Sequence, residues 1–220
     1  MAKLIPGWLW PCLTPLSPEE ESQQHNWLLS EREKVGRGSW GDKSDVVLEE
    51  ARRLFDAEQE RRRGADSKAG LYLAAITALM PILATILPGL WDEQISKALR
   101  CTLLVIFICA LLYLMRAGLW ALQTIKVSAT TQLSAGDIAQ SVSSTKPEEN
   151  LVTQLLNAVI CNYTGTNQKI SRIKMTHEFL IRAFFCFAAF LAVQVAWPAV
   201  AWTIGWIHNG IITPLMSCFP

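Results

Sequence analysis

The chain has 220 residues, of which 18% are charged, against about 25% in an average soluble domain. Its net formal charge is only +1, which argues against a nucleic-acid partner, since such proteins usually carry a basic excess. Of the 39 charged residues 24 lie in the first 68 positions, and none lies between 183 and 220. An uncharged 38-residue tail with three tryptophans excludes a single soluble domain.

Residues 1–43 read as an irregular cytoplasmic segment: a proline-rich start, then polar, glycine-containing sequence. Trp8, Trp10, Trp27 and Trp40 make it more aromatic than most disordered tails. It is either a solvated tail or a docking or interfacial arm. Its prolines break the apolar stretch that a cleavable signal needs, so the first span itself is expected to target the chain.

From Ser44 the pattern becomes helical. Val47, Ala51, Leu54 and Phe55 recur at one face, with Ser44 and Asp45 as candidate N-caps. This juxtamembrane amphipathic helix, 44–68, is expected to continue unbroken into the first span. Arg61, Arg62 and Arg63 either attract anionic headgroups, at about 1 kcal/mol each, or only mark the topology.

Three apolar runs follow at 69–90, 101–122 and 183–207. As helices, the first two span about 33 Å each, enough for a hydrocarbon core of about 30 Å. Pro81 and Pro198 fall inside the first and third runs, where membrane helices tolerate kinks. Arg116 and Gln194 are the strongly polar interruptions of the second and third. Lys and Arg number eleven before the first span, five between Gln123 and Glu178, and two in the loop joining spans one and two. The positive-inside rule therefore places the N-terminus and the 123–182 insert in the cytoplasm. A turn at His208-Asn209-Gly210 leaves 208–220 as an outer, interfacial or re-entrant tail.

Within the insert, Thr145-Lys146-Pro147-Glu148 fits a capping box. The stripe from Leu151 to Tyr163 then needs a partner, which the 44–66 helix supplies. A turn is expected at Thr164–Asn167, and beyond it a helix leads into the third span with Glu178 and Arg182 paired at i, i+4. The fold class is thus an all-α integral membrane protein: three transmembrane helices with cytoplasmic juxtamembrane and inserted helices.

No catalytic signature appears: no P-loop, GxSxG, HExxH or dinucleotide fingerprint. The three histidines are scattered, and the six cysteines have no CxxC pair, reading as small core residues. Catalytic, cofactor-binding and metal residues are expected to be none, and the chain is expected not to be an enzyme. Asn162-Tyr163-Thr164 matches a glycosylation acceptor by chance, since it is expected to face the cytoplasm.

Three groups are candidates for function. Asp66, Lys68, Arg116, Glu178 and Arg182 collect at the inner rim as a gating or junction cluster, with structural pairing as the plainer reading. Gly70, Ala74 and Ala78 in the first span, with Ala188, Ala192 and Ala196 in the third, permit close helix approach within the chain or between copies. Leu151, Leu155 and Val159 form a candidate partner surface.

The order of these parts resembles a known family. A charged helix entering the first span through Arg63-Gly64-Ala65-Asp66-Ser67-Lys68-Ala69-Gly70, a two-span hairpin, a helical insert and an Asn-Gln-Lys-containing helix leading into a last span are similar to the SLATT and Pycsar transmembrane effectors of bacterial antiphage systems. The resemblance covers about 44–205. It implies an inner-membrane effector of abortive infection that oligomerises and impairs the membrane on a signal received by its cytoplasmic helices. The fuller versions carry a nucleotide-binding domain that has no recognisable counterpart here, which implies that a signal-generating or nucleotide-sensing partner supplies the trigger. The alternative is a non-conducting scaffold or sensor recruiting a soluble partner through the 151–163 stripe.

Overall fold

The computed structural model describes residues 10–14, 16–91, 96–126 and 130–207, with the side chains of 42, 90, 91, 201 and 204–207 excluded. The expected tail at 208–220 and its turn lie outside the described residues. All regular structure among the described residues is helical: α1 (Pro18–Arg37), α2 (Ser44–Ile86), α3 (Lys97–Ile125), α4 (Ala135–Val142) and α5 (Pro147–Ile207), with short 3-10 turns at Gly41–Lys43 and Pro88–Trp91. Three of these, α2, α3 and α5, are long and apolar enough to cross a membrane.

The N-terminal region departs from the irregular segment expected over 1–43, because α1 occupies twenty of its residues. Its start has a clear cause. The Ser17 backbone N–H donates to Glu20 Oε2 (2.8 Å) and the Glu20 N–H donates to Ser17 Oγ (3.2 Å), a reciprocal capping box. Pro18 takes a first-turn position, where its missing N–H costs nothing. Glu19, Glu20 and Glu21 face the positive end of the helix dipole, and Lys34 and Arg37 the negative end. The bonds from the Ser17 backbone and hydroxyl hold the Glu20 carboxyl below its ordinary range. An identical device starts α4, where Ser134 and Asp137 cap each other and lower the Asp137 carboxyl.

Between α1 and α2 the chain turns through Gly41, whose φ of +51° suits glycine. Gly38 is fixed for a different reason: the Trp40 ring lies where a Cβ would stand.

α2 is continuous from the charged stretch into the first apolar run, as the sequence implies, and ends at Ile86, before the end of that run at residue 90. Ser44 is the first residue of α2, and its hydroxyl donates to Glu148. That contact also replaces the capping box expected at Thr145–Glu148, because the Glu148 carboxylate reaches across to Ser44. Pro147 opens α5 instead.

α5 runs without interruption through Thr164–Asn167, so the turn expected there does not form. Gly165 costs the helix about 1 kcal/mol relative to alanine. Its neighbours Asn162, Thr166 and Lys169 are all buried on one face, and their fixed positions hold the backbone helical.

The chain divides into two compact units. One comprises the residues up to Ala74 together with Leu119–Thr176; the other comprises Ala75–Gly118 and the residues from His177 onward. The first holds most of the charge. Its apolar core is Leu48, Ala51, Val152 and Leu155, with Trp40, Phe55, Leu133 and Leu151 packed around them. The second is built on Phe107, which meets Phe187 and Phe190 at centroid distances of 6.3 and 5.9 Å. Leu83, Leu99, Leu103, Leu114 and Ala183 complete that core.

Candidate functional site: the polar seam between two parallel helices

In the charged unit α2 and α5 lie parallel and in register, and cross-helix bonds recur at nearly constant sequence offset. Ser44 meets Glu148, Arg61 meets Asn167 and Asp66 meets Lys169, at separations of 104, 106 and 103 residues. The seam changes character along its length. Its first half is apolar, with Val152 fully buried and Leu155 8% exposed against Leu48 and Ala51. Fully burying side chains of this size contributes about 1.5–3 kcal/mol each.

The apolar half accounts for the proposed partner surface. Leu155 is buried and Leu151 and Val159 are half-buried, and α2 covers the stripe. Leu151 and Leu155 therefore pack in an internal core, because an apolar stripe beside an amphipathic helix of the same chain buries itself first, while half-buried Val159 lies outside that cluster.

The second half of the seam is polar. Buried α5 positions Asn162, Thr166 and Lys169 follow at helical spacing, and α2 supplies Glu58 and Asp66. Lys169, 4% exposed, donates to both Asp66 oxygens at 2.6 and 2.8 Å. Arg61 bridges the two helices, donating to Glu58 Oε2 at 2.7 Å and to Asn167 Oδ1 at 3.0 Å. Glu58 Oε1 and Thr166 Oγ1 are buried without a hydrogen-bond partner among the described residues. Both line one small void with Phe55, Gln59, Arg62 and Asn162. A buried polar atom left unpaired costs about 1–3 kcal/mol, and among the described residues Trp40 Nε1, beside the apolar core, stands in the same condition. The arrangement suits a junction that can change its pairing; nothing in it resembles a nucleophile with its base.

Asn162 has a structural role that the glycosylation pattern concealed. The Thr131 N–H donates to its Oδ1 (3.0 Å), and its Nδ2 donates to the Thr131 carbonyl (2.8 Å). The side chain mimics a backbone partner and pins the segment before α4 to α5.

The five candidate junction charges divide between the units. Asp66 and Lys68 belong to the charged unit, where Asp66 is paired and Lys68 is exposed. Arg116, Glu178 and Arg182 belong to the apolar unit. Arg182 donates to Glu178 at 2.6 Å, the i, i+4 pair read from the sequence. Arg116 is half-buried. Lys169, which the sequence offered as a topology marker and as the lysine of the Asn-Gln-Lys stretch, is the missing partner of Asp66. No short-range pattern links them.

Of the small residues, Gly70 is half-buried, while Ala74, Ala78, Ala188, Ala192 and Ala196 are exposed. Close packing in the apolar unit falls instead to Ala110, Ala117 and Ala183. The hydroxyls of Thr85, Thr102 and Thr203 donate to carbonyls of their own helices. Among the described residues no group of three or more His, Cys, Asp or Glu converges to hold a metal, and the five described cysteines are free.

Compared with known protein families, curated proteins and solved structures, the chain shows no match.

Proposed function

We propose that the chain is a membrane effector. Its charged helical unit receives a signal, and its three apolar helices respond by impairing the membrane in which they sit. The observation that carries this reading is the parallel α2–α5 pair. Both are single helices that run from the charged unit into apolar segments, with Pro81 and Pro198 inside those segments, and between them lies a polar seam with two buried oxygens unsatisfied among the described residues. A rearrangement there changes the position of two apolar helices at once. The charge distribution favours an N-terminus in the cytoplasm, and the resemblance to antiphage effectors supplies the bacterial inner membrane and abortive infection as the setting.

The outward-facing alanines Ala74 and Ala78 of α2, and Ala188, Ala192 and Ala196 of α5, suit association between copies. With few polar side chains on the apolar helices, any conducting path is narrow or opens only on activation. The scaffold alternative is less well supported, because its recruiting stripe is covered by α2.

A potential-sensitive dye tests the proposal in infected cells carrying the chain. Depolarisation before lysis is expected. A steady potential in cells that are otherwise protected would overturn the membrane-impairing reading.

A further inference from the structure

The charged unit contains a second feature, which shares α5 with the seam: an open cleft of about 910 Å³, within the range of small-molecule sites, roughly 300–1,000 Å³. Its walls come from the segment before α1, the first half of α1, the last turns of α3 and the 164–172 stretch of α5. Its lining includes Arg172 and Glu21, of opposite charge, with His25 one turn along α1 from Glu21. Arg172 is half-buried and donates one bond, to the Gln123 carbonyl at 2.7 Å. Glu21 stands exposed on the opposite helix. Neither has an ion-pair partner among the described residues. Leu13 and Leu16, 40% and 52% exposed, give the cleft an apolar lip. On α3, Trp120 and Gln123 stand at the end of the apolar run 101–122, where a helix leaves the hydrocarbon and tryptophan is enriched.

We propose that this cleft binds the headgroup of a zwitterionic phospholipid with a primary ammonium, of the phosphatidylethanolamine class. One cation and one anion in the same cleft match a phosphate and an ammonium on one ligand. The free guanidinium donors of Arg172 take the phosphate oxygens, and Glu21 accepts from the ammonium. The leucine lip and Trp120 meet the glycerol and the first acyl carbons. A purely anionic lipid would leave its negative charge facing Glu21, and a choline headgroup has no N–H to donate. The inference needs the chain to be membrane-embedded but does not need it to impair the membrane.

The test uses the full chain, purified in detergent, stripped of lipid, and titrated with phosphatidylethanolamine, phosphatidylglycerol or phosphatidylcholine while bound lipids are counted by native mass spectrometry. Phosphatidylethanolamine is expected to bind best. Arg172→Gln should weaken it about tenfold, the scale of a lost charge-assisted bond, and Glu21→Gln should remove its preference over phosphatidylglycerol. Arg52→Gln, an exposed change on α2, should leave binding intact. Gln168→Trp, which fills the cleft while keeping Arg172, should block binding even if the Arg172 variant fails to fold. Equal retention of all three lipids, or full retention by Gln168→Trp, would overturn the proposal. Displacement of the lipid by an equal concentration of free phosphoethanolamine would overturn the lipid assignment, since the ligand would then be a soluble zwitterion.

Discussion

The pair Asp66–Lys169 concentrates the energetics of the seam in two side chains. Lys169 is almost fully buried, whereas the Asp66 side chain keeps 39% of its surface exposed. Removing the carboxylate leaves a cation in a site it cannot leave without moving α5. Asp66→Asn should therefore destabilise the protein by about 2 kcal/mol, less than a fully buried pair would lose. Thermal unfolding in detergent measures this, and Asp66→Leu combined with Lys169→Met should recover most of it, since no unpaired charge remains. Asp66 drew attention in the sequence because it enters an apolar run. Lys169 did not, because a lysine in a charged insert looks solvated and its partner is 103 residues away. Asn162 was obscured in a similar way: its residue type suggested a surface acceptor, while its two bonds to Thr131 belong to the interior. Asn162→Ala should cost about 1–2 kcal/mol, with faster hydrogen exchange confined to residues 130–134 and the adjoining turn of α5.

Helices reveal themselves in sequence through apolar periodicity, and α1 lacks it. α1 has no buried residue, so no stripe announces it. What it has is Ser17 and Glu20 at capping-box spacing, a signal easily lost beside four prolines. Because the Ser17 bonds depress the Glu20 carboxyl, the folded start of α1 binds its proton less readily than the unfolded chain does. The stabilisation is present above the ordinary carboxylate range and disappears as pH falls through the lowered value. Backbone chemical shifts of residues 18–21 should move toward coil on acidification, and Ser17→Ala should produce the same shift at neutral pH. In α5 the error was the opposite one. Thr164-Gly165-Thr166-Asn167 has turn composition, but cross-helix contacts at Thr166, Asn167 and Lys169 override it. Nothing lies within 4 Å of a Cβ built on Gly165, so Gly165→Ala should stabilise the chain by about 0.5–1 kcal/mol. A turn requiring glycine there would make the same change destabilising.

On the scale of the whole molecule, the uneven charge along the chain becomes a division into a charged unit and an apolar unit. The three apolar runs were legible because about twenty residues in a row with at most one charge have few other uses. The seam was only half legible: its apolar part could be paired with the 44–66 helix from periodicity, whereas its polar part depends on a register that only folding sets. The central claim is that events in the charged unit reach the apolar helices through the unbroken backbones of α2 and α5. The most direct test is the membrane potential of infected cells expressing either the native chain or one with a short Gly-Ser linker after Ala74, at equal membrane levels. The account predicts depolarisation with the native chain and a steady potential with the linker. Equal depolarisation in both would contradict it.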